Sequence, residues 1–335
     1  MFSSFTHGFV LGIGAALILI LVILNGSSHP LFFVSRFQNI NRYQSSSNGS
    51  LVKISYDNNP FFVFPDECPI VRAYLDVVRD TVCGLTLLTR EHTSGFNNSI
   101  HPIKVDTRIK GVDFPVFGIT MIGQQRLTNI EWALRFVIAN KIPGDFIECG
   151  VWRGGGAIFA RAVLKALNNN DKHVWVADSF QGLPKARTKN DHDRWVTMEF
   201  LKVSLEEVQE NFRSFNLLDD HVHFCKGYFV DSLPRCNISQ IAVLRMDGDM
   251  YESTMDQLFN LYSKLQIGGV IIVDDYGIPE CAQAIHDFRS WHHITDAIQL
   301  IPHSETGRYW IKRQKIKVQR DRYIPLLSPT KKPAE

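Results

Sequence analysis

The chain has 335 residues, 45% of them hydrophobic. That length suits one large domain or two small ones with a sizeable core, and it rules out a disordered or fibrous polymer. A net charge of +2 excludes a global electrostatic attraction for nucleic acid. The six cysteines, at 68, 83, 149, 225, 236 and 281, include no C-x-x-C pair. They form neither a disulfide framework nor a zinc site. A Cys68–Cys83 bridge is the one pairing considered, with two unrelated thiols favoured over it.

From the N-terminus, Gly8 to Leu24 runs 17 residues without a charge. This is close to the minimum that spans a bilayer core of about 30 Å. The expectation is a membrane anchor or signal segment over 1–25, attached to a domain in the ER or Golgi lumen. Gly26 and Ser28 offer the alternative of signal cleavage and secretion. Arg36 and Arg42 after the segment pull towards the opposite orientation under the positive-inside rule. N-x-S/T sequons, among them those at Asn48, Asn97 and Asn237, occur about as often as chance gives, so they do not fix the compartment.

Residues 26–59, rich in Ser and Asn, read as a flexible stem. Residues 60–142 read as an irregular, helical lid or substrate region. Val71, Tyr74, Leu75 and Val78 mark one helix face, and 129–138 a second helix. Residues 114–117 are extended, and the stretch from there to Leu127 is expected to be a loop.

From Asp145 to about 315 the pattern alternates β and α, which predicts a doubly wound, mostly parallel sheet. Strands are expected at 145–149, 173–177, 221–224, 241–246 and 269–273. Helix faces fall at Ala160, Val163, Leu164 and Leu167, and at Met255, Leu258, Phe259, Tyr262 and Leu265, the latter closed by Gly268-Gly269. A further helix carries Ala282, Ile285 and Phe288. Segments 297–301 and 309–311 close the domain as a hairpin. The tail 316–335 continues a run with six basic residues between Lys312 and Arg322, read as a solvated edge.

Asp247 ends one apolar strand, and Asp274-Asp275 end another. If those strands are parallel neighbours, three carboxylates meet at the carboxyl edge, where ligands bind in open α/β sheets. Such acids repel unless something positive joins them, and a hard divalent cation, Mg²⁺ first, answers that need. Asp249, two residues past Asp247, is placed as a general base on a substrate hydroxyl. His286, His292 and His293 lack metal-type spacing and read as structural.

The run Ile147-Glu148-Cys149-Gly150-Val151-Trp152-Arg153-Gly154-Gly155-Gly156 is a strand entering a glycine-rich turn and a helix. It is not the G-x-G-x-x-G dinucleotide fingerprint, which disfavours an NAD-dependent oxidoreductase. Glu148 would repel a pyrophosphate and suits an amino-bearing cofactor. Asp178, ending the second strand before Ser179, can accept ribose hydroxyls. The turn at Gly227 could wall an adenine. The candidate cofactor contacts are therefore Glu148, Gly150, Trp152, Gly154, Asp178, Ser179 and Gly227.

Together, residues 143–155, 178–184, 244–254 and 268–276 make the sequence resemble the macrocin O-methyltransferase (TylF-like) family across roughly 115–312. The resemblance implies a Rossmann-like class I methyltransferase sheet with an antiparallel C-terminal hairpin strand. It implies an S-adenosylmethionine- and Mg²⁺-dependent O-methyltransferase acting on a sugar or glycan hydroxyl. The charge reading adds no nucleic-acid partner, and a homo-oligomer is left open by the sequence. The resemblance also implies metal ligands at Asp247, Asp274 and Asp275, a base at Asp249, and cofactor contacts at Glu148, Gly150 and Asp178. The apolar segment and stem depart from the usual members of that family. A catalytically silent, membrane-anchored domain of the same fold is the competing expectation.

Overall fold

A computed structural model describes residues 68–95 and 99–327. These belong to one compact unit, Val52–Glu335, and the other unit, Met1–Leu51, lies outside the described residues. The apolar segment at 8–24, the stem, and the sequons at Asn48 and Asn97 are likewise outside them. Among the described residues no helix is long and apolar enough to cross a membrane.

The first helix, α1 (Pro69–Val82), opens on a proline, whose missing N–H is no loss at that position. It buries Leu75, Val78 and Val82 along one stripe. Three short strands follow: β1 (His92–Ser94), β2 (Ile100–Pro102) and, after helix α2 (Val105–Lys110), β3 (Phe114–Pro115). They form a separate antiparallel sheet in the order β2-β1-β3, which the sequence pattern does not announce. Helix α3 (Gly123–Ala139) begins four residues before Leu127, inside the expected loop. Its first turn, Gly-Gln-Gln-Arg, is polar, so apolar periodicity sees only the later turns.

The main domain then runs β4 (Asp145–Cys149), α4 (Gly155–Ala166), β5 (Val174–Asp178), α5 (Leu205–Ser214), β6 (Val222–Lys226), α6 (Phe229–Ser232), β7 (Ile241–Met246), α7 (Tyr251–Leu261), β8 (Leu265–Val273), α8 (Pro279–Trp291), β9 (Gln299–Leu300), β10 (Arg308–Ile311) and α9 (Arg320–Leu327). The sheet order is β6-β5-β4-β7-β8-β10-β9. Strands β4 to β8 are parallel, while β10 pairs antiparallel with β8 and with β9. This is the expected Rossmann-like sheet with its C-terminal hairpin.

The pleat sorts the core. Phe146, Val174, Val176, Val243, Val270 and Ile272 point to one face and pack with α1, α3 and α4. Ile147, Ala177, Leu244, Met246, Ile271 and Val273 point to the other and pack with α7 and α8. Strands covered on both faces read as continuous apolar runs for this reason.

Gly268-Gly269 does not close a helix. Helix α7 stops at Leu261 and β8 already runs from Leu265, with its pairing to β7 shifted between Ile241 and Val243. Gly268 holds φ +83°, and a Cβ on Gly269 would lie 2.9 Å from the Ala242 carbonyl oxygen. The glycines therefore bend the strand where two backbones approach.

The cysteine expectation holds for one pair and fails for another. Cys68 and Cys83 are unpaired, whereas Cys225 at the end of β6 bonds to Cys236 with their Cα atoms 5.9 Å apart. The basic run is not all solvated: Lys312 is buried and donates to the carbonyls of Tyr262 and Leu265 at 2.8 and 2.7 Å. In α9, Tyr323 stacks on Phe259 with ring centroids 4.7 Å apart.

Candidate active site

The chain moves outward from β4 to β6, then returns to place β7 on the other side of β4. The crevice at that reversal, beyond the carboxyl ends of β4 and β7, is where ligands bind in such sheets. Gly150 follows β4, Asp247 follows β7 and Asp274 follows β8. The ladder carries on past the strand ends, with Asp247 N–H donating to the Cys149 carbonyl and Asp274 N–H to that of Met246.

Register then decides which side chains meet. Glu148 sits opposite Arg245, and Arg245 opposite Ile272. Two residues on, Asp247 and Asp274 share that face, because side chains alternate along a strand. The outcome is a buried ion cluster. Arg245 donates to Glu148 Oε1 at 2.7 Å, to Asp247 Oδ2 at 3.0 Å and to Asp274 Oδ1. Arg126 reaches in from α3 to Asp274 Oδ2, and to the Ile122 carbonyl at 2.8 Å. Sequence reading missed both arginines. The available signal was a lone base, Arg245, inside an otherwise apolar strand.

Asp247, Asp274 and Asp275 each bring a carboxylate oxygen within 4.8 Å of the others. Asp249 holds a left-handed φ of +54°, and its N–H donates to Asp275 Oδ2 at 3.0 Å. Burial pushes the carboxyls of Asp247, Asp249 and Asp275 above the usual carboxylate range, and their neighbours' negative charge adds to it. Burial also lifts Glu148 to about 8, against the opposing pull of Arg245.

These acids line a cavity of ≈ 570 Å³ together with Glu148, Gly150, Trp152, Asp178 and Ser179. Glu148 Oε2 is buried and left without a hydrogen-bond partner. Gly150 has φ +85°, and a Cβ there would lie 1.6 Å from the Asp247 carbonyl oxygen. Asp178 is partly committed: it accepts from the Val151 and Phe180 amides, each at 2.8 Å, and burial raises its pKa. Ser179 Oγ donates to the Gly182 carbonyl at 2.6 Å, and Trp152 Nε1 to that of Phe200 at 2.8 Å.

Gly154 and Gly227 lie outside the cavity lining. A Cβ on Gly154 would meet Val208 at 2.9 Å, so this glycine lets α4 start against α5. Gly227 accepts from Ser232 Oγ at 2.9 Å, and its N–H donates to the Asp178 carbonyl.

The segment between β5 and α5 walls the cavity with Pro184, Lys185, Trp195 and Phe200. Arg187 pins it to Glu252 and Asp256 at 3.0 and 2.8 Å. Asp191 accepts from the amides of Tyr251 and Glu252 at 2.7 and 2.8 Å, satisfying the start of α7. His292, as expected, is structural: its Nδ1 donates to the Phe288 carbonyl at 2.7 Å.

A sheet of this order, ending in an antiparallel pair and carrying an acid-and-glycine crevice at the reversal, defines a Rossmann-like methyltransferase. The macrocin-O-methyltransferase (TylF) family matches residues 72–312, and the chain belongs to that family. Its match extends upstream of 115, through α1 and the small sheet. The mycinamicin III 3''-O-methyltransferase of Micromonospora griseorubida is 42% identical over 248 residues, which is 72% of this chain and 96% of that protein. The 8-demethyl-8-(2,3-dimethoxy-alpha-L-rhamnosyl)-tetracenomycin-C 4'-O-methyltransferase of Streptomyces olivaceus is 44% identical over 210 residues, 61% of this chain and 80% of that protein. The solved O-methyltransferase NovP superposes with a TM-score of 0.68 at 40% identity, covering 73% of this chain and all of that one. The chain is an S-adenosylmethionine-dependent O-methyltransferase.

Proposed function

We propose that this enzyme is Mg²⁺-dependent, methylates a hydroxyl of a sugar or glycan, and works in the secretory lumen behind a membrane anchor at 8–24. The observation that carries the metal reading is the convergence of carboxyl groups in the cavity, with oxygens of Asp247, Asp274 and Asp275 within 4.8 Å of one another. Five carboxylates (Glu148, Asp247, Asp249, Asp274 and Asp275) converge there, with two guanidiniums, Arg126 and Arg245, hydrogen-bonded into them. The crowded carboxyls and the oxygen-only donor set suit a hard divalent cation held by Asp247, Asp274 and Asp275, whose binding would favour their ionised forms. Bound there, Mg²⁺ would supply Lewis acidity to an acceptor oxygen. The unpartnered Glu148 Oε2 suits the amino group of S-adenosylmethionine, with Gly150 giving close backbone approach and Asp178 facing the ribose.

The methyl group arrives on a sulfonium and is already activated, so the chain's task is the weakly acidic acceptor hydroxyl. Asp249 takes its proton. Asp249 stands two residues past Asp247 with its N–H on Asp275 Oδ2, which places its carboxyl beside the proposed acceptor site. Arg245 and Arg126 hold Asp274 in place, and Trp195, Phe200 and Pro184 line the same cavity. The rhamnosyl substrate named for the Streptomyces olivaceus relative supports a sugar acceptor. The Cys225–Cys236 disulfide supports an oxidising compartment.

Calorimetry and turnover test the assignments together. Asp275→Asn should weaken Mg²⁺ binding and turnover in parallel. Asp249→Asn should leave Mg²⁺ binding intact and slow turnover by about 10²–10⁴-fold. Full activity in excess EDTA would remove the metal from the mechanism. Mass spectrometry of a glycoside panel would identify the acceptor, and protease protection in sealed microsomes would report the side of the membrane.

A further inference from the structure

We propose that Asn237 carries an N-linked glycan, set beside the Cys225–Cys236 disulfide and outside the lining of the active-site cavity. The proposal rests on the lumenal placement above and is independent of the methylation chemistry.

Asn237-Ile238-Ser239 is an acceptor sequon, and on sequence alone it carries little weight. The structure adds three observations. Asn237 and Ser239 are both exposed, while Ile238 between them is 2% exposed and pins the loop to the core. The amide therefore projects into solvent with Pro234, Arg235 and Gln240, also exposed, around it. The residue just before the sequon, Cys236, is oxidised to Cys225, a state that persists in the compartments where N-glycans are added. Last, the loop enters β7 at its amino end. Asp247 follows the carboxyl end of the same strand, six residues further along, which at about 3.3 Å per residue is roughly 20 Å away. Asn237 is not among the residues that line the cavity, although Tyr228 to Asp231, earlier in the same connection, are.

The modification is a group transfer. Asn237 Nδ2 forms a bond to the anomeric carbon of an oligosaccharide carried on a polyprenyl diphosphate. The carbon–oxygen bond to the diphosphate breaks, and the amide proton leaves with that diphosphate. The donor and the transferase belong to the lumen, so the reaction marks the compartment.

The test expresses the full chain in a eukaryotic cell line. The purified protein is split between blocking of free thiols without reduction and deglycosylation by peptide N-glycosidase in heavy-oxygen water, each read by peptide mass spectrometry. The expected result is heavy-oxygen aspartate at 237 and unblocked, disulfide-linked Cys225 and Cys236. Asn237→Gln and Ser239→Ala should each remove one glycan's mass and leave turnover unchanged. Unmodified Asn237 with the disulfide intact would overturn the glycan and leave the lumenal placement standing. Unmodified Asn237 with both thiols blocked would overturn both. Loss of turnover in Asn237→Gln with a normal Tm would overturn the claim that Asn237 stands outside the site.

Discussion

Replacing Arg245 by Met tests the ion cluster most directly. The substitution keeps the length and apolar bulk of the side chain and removes a fully buried guanidinium that holds Glu148, Asp247 and Asp274. Removing one partner of a buried ion pair costs about 3–5 kcal/mol. Arg126 still holds Asp274, so the loss falls mainly on Glu148 and Asp247, and we place it at about 4 kcal/mol. For a domain of this size that corresponds to a Tm lower by roughly 8–16 °C. The pH dependence has a definite sign. Burial already raises Glu148 from 4.5 to about 8, and Arg245 is the charge that opposes the rise. An acid whose folded pKa lies above its unfolded value loses stability as pH climbs from the unfolded value to the folded one. Without Arg245 that rise is larger, so wild type and variant should converge near pH 4.5 and diverge up to pH 8 and beyond. Differential scanning fluorimetry in EDTA at several pH values reads this out. A Tm within about 2 °C of wild type at the alkaline end, or a gap that narrows as pH rises, refutes the electrostatic account.

Three further outcomes follow from other sites. Gly150→Ala combines a left-handed backbone strain of about 1–3 kcal/mol with a backbone clash on Asp247. Mg²⁺ and S-adenosylhomocysteine affinities should fall together in calorimetry, and loss of only one would separate the two sites. Cys236→Ser opens a loop with an 11-residue sequence separation, worth about 3 kcal/mol in the chain-entropy account; urea denaturation under oxidising conditions should show it, and an unchanged midpoint would mean the bond is absent. Burial and nearby His173 hold His223 below its ordinary 6.5, and its Nε2 lies 2.6 Å from His173 Nδ1. Its contribution is therefore complete above 6.5 and lost as pH falls below it, so His223→Gln should flatten the loss of denaturation midpoint between about pH 7 and pH 5.

The sheet was legible because buried parallel strands write themselves as mostly apolar runs: 145–149 and 241–246 coincide with β4 and β7. The acids were legible because each terminates such a run. What the sequence hides is what long-range geometry supplies. Arg126 stands 148 residues from Asp274, and nothing local to α3 marks it as different from a surface arginine. The first turn of α3 was lost to its polar composition, and the glycines of β8 resemble a helix stop until the bend in the strand is seen. The Cys225–Cys236 pair joins a strand end to a loop, at a spacing that fits no motif.

Arg126 has one more consequence. It leaves α3, well upstream of β4, and ends on a carboxylate at the far side of the sheet's switch point. A fragment trimmed to begin at Asp145 would keep every strand of the main sheet, yet it would strip Asp274 of one guanidinium and expose the apolar face of β4 and α4 that α1 and α3 cover. A methylating fragment of this protein should therefore include α1 and α3. Turnover, in turn, serves as a sensitive gauge of whether those early helices have docked.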